Sequence, residues 1–422
     1  MFKLLPLDYE IFNLVKPAAL TLIITPIVGI INSYLLSRLG SVTILTIQNA
    51  ANQVFTVTFG FVAFLPLVIS PIISKFNSKN ENNKIIELMN NSIILYSILG
   101  LIISIALFIY SSYFLSFFIS IDSIFFLETI NFLRIKCFIF PIMMINSIIT
   151  SVLKGMMDFK SDMRNNIKTQ FMNIFCDLIL INLIGINGAA ISNVLSELFC
   201  FYGNLRILKK REMIKFTNSN FFPNIWSLLK NGFFVQIRST VGNFNYYYLN
   251  KQISIIDKTG LITAAHILSC RVLEILSISF SSLSSVSPVV MAKYNSDQKK
   301  ANVVIKRFLG WAFIVTIIQT MITYFSYDLI SYFTNELFVL NQIYSIIPLI
   351  VIYSSISGFS LIIDGILQGK NEFKLQTYLS FISLTVVYFL IGYCYKLIHI
   401  WYLITLIFCI RVPLNIYFLS KK

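Results

Sequence analysis

The sequence LKGMMDFK at residues 153–160 recurs 214 positions later as LQGKNEFK at residues 367–374. Each copy follows a long apolar stretch. A second pair of similar segments, GSVT at residues 40–43 and GLIT at residues 260–263, is separated by 220 positions. A period close to half of the chain length, in a chain this apolar, predicts a duplicated helical bundle embedded in a membrane.

The composition supports a membrane location for the whole chain. Hydrophobic residues make up 57% of the sequence and charged residues 12%, whereas a soluble domain has roughly 25% charged residues. Apolar runs of about 20 residues are long enough to cross a hydrocarbon core about 30 Å thick. We therefore predict an all-α polytopic membrane protein with twelve transmembrane helices in two pseudo-symmetric six-helix lobes. The predicted spans are residues 17–36, 44–73, 92–119, 129–153, 167–184, 186–206, 226–250, 260–290, 305–325, 338–366, 375–395 and 398–419.

The distribution of basic residues predicts the orientation of these helices. A net charge of +15 would suggest a nucleic-acid partner if the protein were soluble. Of the 33 Lys and Arg residues, however, 24 lie in the terminal segments and the loops on the same side, and four lie in the opposite loops. This asymmetry is the positive-inside signal. It argues against nucleic-acid binding and predicts a multi-pass protein with both termini cytoplasmic. We expect the membrane to be the bacterial inner (plasma) membrane.

A hydrophilic connection divides the chain into two halves. The most hydrophilic stretch, residues 209–224, joins the sixth predicted span to the seventh. We therefore predict an N-lobe at residues 1–208, a cytoplasmic linker at residues 209–225 and a C-lobe at residues 226–422. Such a two-lobe plan suits alternating access around a central site, and a channel is poorly supported. These features predict a transporter in the lipid bilayer, and we expect it to be a monomer.

Several other functional classes lack their sequence signals. The six cysteines are scattered in apolar runs without a C-x-x-C pair, so we predict neither disulfides nor a metal site. The two histidines, His266 and His399, stand alone, and no nucleophile–base spacing is present, which argues against an enzyme. The chain also has no G-x-x-x-x-G-K-[ST] motif for ATP. We therefore predict no cofactor and an ion or solute gradient as the energy source.

Polar and glycine-containing motifs occur in a fixed order along nearly the whole chain. They are PIVGIIN at 26–32 with RLGS at 38–41, LRIK at 133–136 leading to KGMMD at 154–158, NIFCD at 173–177 with GAAI at 188–191, Arg238, AAH at 264–266, DGILQG at 364–369, and Trp401 with Arg411. In this order and spacing the motifs resemble those of the multidrug and toxic compound extrusion (MATE) transporters, and within them the DinF-like branch.

This resemblance implies two six-helix lobes related by a pseudo-two-fold axis along the membrane normal. It also implies an antiporter that exports an organic solute in exchange for H⁺ or Na⁺. Related flippases for lipid-linked saccharide precursors share the architecture, so the fold alone does not identify the cargo. A flippase should present a more cationic cavity than the residues here indicate.

Asp177 is the strongest candidate for ion coupling. It lies in the fifth predicted span, where a carboxylate costs several kcal/mol unless it is paired, hydrated or protonated. Asn173 lies four residues earlier and therefore on the same face of the helix. The pair could hold a proton or offer oxygen ligands to Na⁺, and the alternative is a structural Asp with fixed hydrogen bonds. Asn193 in the sixth span falls near a polar position of the family's N-lobe site, or it serves packing alone.

Asn32 departs from the pattern of the resemblance. At this first-helix position the DinF-like pattern has an Asp, the second carboxylate of the N-lobe proton site. An amide does not titrate, so a switch made of two carboxylates is not available. Either Asp177 couples alone, or the coupling has changed, or the cargo binds differently. A polar residue that only packs is the alternative.

Three charged residues in the second half are further candidates. Arg238 and Arg411, in the seventh and twelfth spans, could bind an anionic cargo or form structural pairs with each other's neighbours. Asp364 closes the tenth span, and we interpret it as a helix-end hydrogen-bonding residue, with a role in the site as the alternative. Sodium-type relatives carry an acid where this chain has Ser357, which argues against a C-lobe sodium site.

Three further groups of polar residues have simple structural interpretations. Arg271 and Glu274 are three positions apart and predict an intrahelical ion pair. His266 predicts a hydrogen-bonded structural histidine, although it could also titrate near neutrality. Residues 246–248, three consecutive tyrosines, either line a cavity or belong to an interfacial aromatic belt.

Overall fold

The computed structural model describes residues 4–39, 42–119, 121, 123, 125–215, 221–257, 259–325 and 336–420. Residues 40–41 of the RLGS and GSVT motifs and residues 216–220 of the predicted linker lie outside these ranges. Within them the chain is helical and contains no strand. The α-helices are α1 (Pro6–Leu39), α2 (Val42–Gly60), α3 (Phe64–Ser78), α4 (Asn82–Ile109), α5 (Ser111–Ser116), α6 (Phe126–Cys137), α7 (Ile139–Gly155), α8 (Phe159–Ile184), α9 (Ile186–Lys210), α10 (Phe221–Ile256), α11 (Leu261–Tyr294), α12 (Gln298–Phe325), α13 (Leu337–Gly369), α14 (Phe373–Leu390) and α15 (Leu397–Ser420). A short 3₁₀ helix, Ile391–Tyr393, follows α14.

Each predicted span coincides with one helix or with consecutive helices. The second span covers α2 and α3, which meet at 49°, and the fourth covers α6 and α7, which meet at 45°. The eighth span lies on α11, whose two parts differ in direction by 48°. Among the described residues, seven helices are long and apolar enough to cross a membrane, and the number rises to ten if each bent pair is one span.

The duplicated octapeptide forms the same connection in both halves. In the first copy α7 ends and α8 begins, and in the second copy α13 ends and α14 begins. The residue at the turn has a positive φ in both cases, 64° at Met157 and 62° at Asn371. The first residue of the next helix, Phe159 or Phe373, is 1% exposed. The repeat therefore encodes a tight turn anchored by a buried aromatic ring.

The glycines of this repeat allow two helices to approach closely. A Cβ placed on Gly155 would lie 2.6 Å from Cβ of Ile73 in α3. A Cβ placed on Gly369 would lie 2.6 Å from Cβ of Met291 in α11. Both distances are far below a van der Waals contact, so a larger residue would force the helices apart.

The chain forms two compact units whose bounds differ from the predicted lobes. One unit is Lys16–Gly232, which we call the N-terminal unit. The other joins Met1–Val15 to Phe233–Lys422, and we call it the C-terminal unit. Ion pairs explain why the first residues belong with the second half. Glu10 accepts hydrogen bonds from Lys293 Nζ at 2.5 Å and from Tyr294 Oη at 2.9 Å. Asp8, which is fully buried, contacts α12.

The Asp8 contacts strengthen this attachment. One carboxylate oxygen accepts a hydrogen bond from Trp311 Nε1 at 2.8 Å, and the other lies 3.6 Å from Arg307 Nη1. Residues 1–15 thus carry acidic groups whose basic partners lie almost 300 positions later in the chain.

Helices α8 and α9 form the hairpin that carries the N-terminal candidate site. A single residue, Gly185, separates them, and its combination of φ 62° with ψ −140° is readily available only to glycine. Three residues further on, a Cβ on Gly188 would lie 2.1 Å from the carbonyl oxygen of Leu180. The two helices therefore cross in close contact, and polar side chains of one reach those of the other.

Candidate functional site

The centre of the N-terminal unit contains an acid and an amide on one face of α8. Asp177 is 3% exposed and Asn173 is 6% exposed. Their spacing of four residues places both on one face of the helix, as the sequence predicts.

Two serines of α9 contact the α8 pair. Asn173 Nδ2 donates to Ser192 Oγ and to Ser196 Oγ, both at 3.3 Å. Ser192 Oγ donates to the backbone carbonyl of Asn173 at 3.0 Å. The Ser192 hydroxyl also lies within reach of the Asp177 carboxylate. These contacts fix the amide and leave the acid with neutral neighbours.

Asn32 joins the same cluster from α1. Its Nδ2 donates to Asn173 Oδ1 at 2.7 Å, across 141 positions of sequence. The Asn32 Oδ1 atom is buried and has no hydrogen-bond partner among the described residues. The structure therefore brings together three of the predicted residues, Asn32, Asn173 and Asp177, on three helices of one unit.

Asp177 is a buried carboxylate with no cationic partner among the residues that the structure describes. Its Oδ1 atom makes no hydrogen bond within the described part of the chain. None of the described ion pairs includes it. An ionised carboxylate in such a place costs several kcal/mol. Binding of a proton or a small cation would remove this cost, which is the chemistry that an ion-coupling residue requires.

Asn193 faces its own helix. Its Nδ2 donates to the carbonyl of Ala189 at 2.7 Å, and its own carbonyl accepts from Ser196 Oγ at 3.0 Å. The side chain of Asn193 thus supports α9 and makes no described contact with Asp177. Among its described contacts, the backbone carbonyl of Asn193, not the side chain, reaches the cluster, through Ser196 Oγ.

A second buried cluster lies in the C-terminal unit and contains both predicted arginines. Arg411 Nη2 of α15 lies 2.7 Å from Asp364 Oδ2 of α13, and Arg238 Nη1 of α10 lies 4.0 Å from the same oxygen. The three side chains are only 12–19% exposed. The arginines therefore pair with a shared acid, as one of the two alternatives predicted.

Gln376 of α14 completes this cluster. Its Oε1 accepts a hydrogen bond from Arg238 Nη1 at 2.7 Å, and its Nε2 donates to the backbone carbonyl of Asp364. The structure places Asp364 within α13, five residues before its end at Gly369, where its carboxylate forms ion pairs inside the bundle. Four helices of the unit meet at this one acid.

The C-terminal unit also encloses a cavity of about 490 Å³. Its wall includes the aromatic residues Tyr246, Tyr353 and Trp401 among serines and aliphatic side chains. His266 also borders it, with Nε2 3.5 Å from Cys270 Sγ. We refer to this cavity as the aromatic chamber.

Two predictions on the wall of the aromatic chamber can be compared with the structure. The intrahelical ion pair between Arg271 and Glu274 is confirmed, with an N–O distance of 2.8 Å. Tyr246 lines the chamber, as one of the two alternatives for residues 246–248 proposed. Ser357 also lines it and donates to the carbonyl of Ser354 at 3.2 Å.

Some residues of these sites were not predicted from the sequence. Ser192 and Ser196 repeat on α9 the four-residue spacing of Asn173 and Asp177 on α8, and this match is a signal that could have identified them. Gln376 carries no such local signal.

Among the described residues there is no group of three or more His, Cys, Asp or Glu that could hold a metal ion.

The chain is a duplicated apolar helical bundle in which some buried charges form ion pairs and Asp177 has no described ionic partner. These features define a polytopic membrane transporter. The MatE family model matches residues 17–179 and 260–394, which is more than half of the chain. The chain is also 24% identical, over 87% of its length and 87% of the relative, to the probable multidrug resistance protein NorM of Buchnera aphidicola subsp. Baizongia pistaciae.

Solved structures show the same fold. A Vibrio cholerae MATE transporter, a mutant of VcmN, superposes with a TM-score of 0.89 at 14% identity and covers 98% of this chain and 96% of its own. An outward-facing MATE transporter of the MOP superfamily gives 0.82 at 17% identity, with 97% and 94% coverage. A MOP superfamily transporter from Pyrococcus furiosus gives 0.81 at 17% identity, with the same coverage.

The chain belongs to the MatE family and is a membrane transporter, not an enzyme. The predicted fold class, an all-α polytopic protein of the twelve-helix MATE type, is confirmed. Assignment to the DinF-like branch stays a prediction.

Proposed function

We propose that this transporter exports an organic solute by alternating access in exchange for inward-moving H⁺ or Na⁺, with Asp177 as the coupling carboxylate. The observation that carries the proposal is the burial of Asp177, 3% exposed, among neutral side chains and without a described cationic partner. Membrane-embedded carboxylates of this kind mark ion pathways. The names of the NorM and MATE relatives support an organic cargo.

The hydrogen bonds around Asp177 supply a way to couple ion binding to helix movement. A carboxylate only accepts hydrogen bonds, whereas a protonated carboxyl also donates one. Protonation of Asp177 would therefore change the groups to which Ser192 and Asn173 form hydrogen bonds. Asn173 also accepts the bond from Asn32 at 2.7 Å. A change at Asp177 would thus reach α1, the helix that supplies Asn32.

A single titratable group implies simple stoichiometry. Asn32 occupies the position where the resemblance implies a second acid, and an amide neither gains nor loses a proton near neutral pH. We expect this cluster to carry one proton, or one Na⁺, per transport cycle. For Na⁺, the two buried oxygens without described partners, Asn32 Oδ1 and Asp177 Oδ1, would be ligands.

The flippase alternative receives no support from the second charged cluster. A lipid-linked pyrophosphate needs arginines that are free to bind it. Arg411 and Arg238 instead share Asp364 at 2.7 and 4.0 Å, and Gln376 accepts a further bond from Arg238. We therefore propose that this cluster holds four helices of the C-terminal unit together.

The proposed setting follows from the charge distribution. Of the 33 basic residues, 24 lie in the terminal segments and the loops of one face. We propose that this face is cytoplasmic, that both termini lie there, and that the protein works as a monomer in a bacterial inner membrane.

The test is gradient-driven transport in proteoliposomes with Asp177→Asn. The amide fits the same space and removes the titratable oxygen, so uptake driven by a pH gradient or a Na⁺ gradient should fall to the level of protein-free liposomes. Comparing the two gradients in the parent protein identifies the coupling ion. Full activity of Asp177→Asn under either gradient would remove this residue from the mechanism.

Asp162→Asn is the matched control on the same helix. Asp162 is also buried, at 8% exposure, but it lies 3.6 Å from Lys154 Nζ and accepts a hydrogen bond from Thr150. The substitution is chemically the same, so any loss common to both variants reflects folding. Loss of coupling in Asp177→Asn alone supports the proposal.

A further inference from the structure

Three basic residues follow one face of α8 near its start. Lys160, Arg164 and Lys168 are spaced four positions apart, so they lie within an arc of about 80° on the helix surface. All three are exposed, and none has an ion pair or a side-chain hydrogen bond with a described residue. The acids nearest to them in the sequence pair elsewhere, Asp158 with Arg211 and Asp162 with Lys154. We call these three residues the basic stripe.

The same face of α8 continues as an apolar surface. Phe171 is 70% exposed, Phe175 59% and Leu178 42%, and all three lie within the arc of the basic stripe. Large apolar side chains exposed on a membrane span contact lipid. Lys168 lies about 14 Å along the helix from its first residue. From there a lysine reaches the headgroup level by extending its side chain along the helix.

Helix α14 provides an internal comparison for this face. The 214-residue offset carries the three positions of the basic stripe onto Lys374, Tyr378 and Ile382, which are also exposed. The positive-inside rule explains a basic residue in the first turn, which both helices have. It does not explain Arg164 and Lys168, because the second half has at these positions residues suited to acyl chains. The second and third cations are therefore specific to α8.

The chemistry of the basic stripe matches a phosphate group. Arginine binds phosphate through two parallel hydrogen bonds, and lysine adds a compact positive charge. The apolar surface beside the basic stripe suits the acyl chains of the same molecule. A zwitterionic lipid brings its own cation, whereas an anionic lipid leaves its charge to the protein.

We propose that the basic stripe binds the phosphate headgroup of an anionic phospholipid whose acyl chains lie along Phe171 and Phe175. The assignment of this lipid to the cytoplasmic leaflet rests on the proposed orientation, whereas binding itself does not. Lipid binding is measured without a gradient, so a failure of ion coupling at Asp177 leaves the result interpretable.

The test compares two lipids at a tryptophan placed beside the site. Phe171→Trp puts the reporter three positions from Lys168, and Thr385→Trp puts a matched reporter at the equivalent exposed position of α14. Both are made with Trp226→Phe, and the emission of the protein without the added tryptophan is subtracted. The membranes are mixtures of phosphatidylcholine and phosphatidylglycerol, the anionic lipid. Each lipid in turn carries brominated acyl chains, which quench tryptophan on contact.

The two reporters should differ in their preference for phosphatidylglycerol. Each basic residue near an anionic lipid contributes roughly fivefold to binding. Because α8 has two more basic residues on this face than α14, the preference at Phe171→Trp should exceed that at Thr385→Trp by about five- to twentyfold. Equal preferences at the two reporters would overturn the proposal.

Charge variants separate the site from surface charge in general. Arg164→Gln with Lys168→Gln should reduce the preference at the α8 reporter to that of the α14 reporter. Arg164→Lys with Lys168→Arg keeps both charges and should keep the preference. Lys299→Gln with Lys306→Gln removes two exposed charges from α12 and is the control of equal net charge. The proposal fails if this control loses the preference equally, or if the first variant retains it.

Inorganic phosphate tests whether a lipid is the source of the phosphate group. Phosphatidylglycerol should stay bound in sodium phosphate to the same extent as in sodium chloride of equal ionic strength, because its acyl chains add apolar contacts that the free ion lacks. Selective displacement by inorganic phosphate would indicate a site for the free ion and would refute the assignment to a lipid.

Discussion

Replacing Asp364 by Asn should destabilise the C-terminal unit more than any other single change of charge there. The carboxylate lies 2.7 Å from one guanidinium and 4.0 Å from another. At an effective dielectric constant of about 20, these distances correspond to roughly 6 and 4 kcal/mol of Coulomb attraction. Desolvation offsets much of it, and removal of one partner of a buried pair costs about 3–5 kcal/mol. The three side chains are at most 19% exposed, so solvent screening is small.

The expected shift in melting temperature follows from the length of the chain. Unfolding entropy near 2.1 cal/mol/K per residue gives about 0.9 kcal/mol/K for 422 residues. A loss of 3–5 kcal/mol then lowers Tm by roughly 3–6 °C. The assay is thermal unfolding in detergent, followed by tryptophan fluorescence, for the parent and Asp364→Asn.

Two further variants make this test specific. Asp297→Asn removes an exposed acid that lies 3.5 Å from Lys300 Nζ, and it should change Tm by less than about 1 °C. Adding Arg411→Met to Asp364→Asn removes one of the two arginines left without an acid and should recover part of the loss. If Asp364→Asn melts no earlier than Asp297→Asn, the ion-paired cluster does not stabilise the unit and this reasoning fails.

Three other predictions concern the first helix, the duplicated turn and the loop before α11. Asn32→Asp should shift the pH optimum of transport upward, because a second carboxylate beside Asp177 makes both harder to ionise. An unchanged pH–rate profile would show that position 32 does not influence Asp177. Gly155→Ala should lower Tm because its Cβ would lie 2.6 Å from a neighbouring side chain, whereas Gly242→Ala, with nothing within 4 Å, should raise it slightly. Burial raises the pKa of Asp257, but hydrogen bonds from the start of α11 outweigh it and lower the pKa to about 2. The usual pKa of an Asp is about 4, so the ionised Asp257 stabilises the fold above about pH 4 and this contribution should disappear between about pH 4 and 2. The measurement is Tm as a function of pH. The Asp257→Asn variant is the control and should lack this pH-dependent loss.

Length and hydropathy were sufficient to place every predicted span on a helix, because each helix must cover the same hydrocarbon thickness. The attachment of residues 1–15 to the second half could not be predicted in this way. It depends on Glu10 meeting Lys293 and Asp8 meeting Trp311, contacts across 283 and 303 positions. Nothing local in the sequence specifies such partners.

The candidate sites were predictable to different degrees. Helical spacing alone placed Asn173 beside Asp177, and the resemblance added Asn32. The sequence also identified Arg238 and Arg411 as unusual intramembrane charges. It did not identify their shared acid as a partner, because four helices must pack before the contact exists. The aromatic chamber likewise depends on the packing of several helices.

Positions 214 residues apart show which contacts are common to both halves of the duplicated chain. Thr150 and Asp364 are equivalent positions, and so are Asp162 and Gln376. Thr150 Oγ1 donates to Asp162 at 3.1 Å, and Gln376 donates to the carbonyl of Asp364. The contact between the helix before the turn and the helix after it is thus present in both halves.

The same offset carries Asn173 onto Val387 and Asp177 onto Ile391, so the acid–amide site has no polar counterpart in the second half. Under the proposal made above, the coupling ion therefore binds in one half of the duplicated bundle. This asymmetry predicts that Asp177→Asn abolishes gradient-driven transport, because the second half carries no acid at the equivalent position, Ile391, that could replace it.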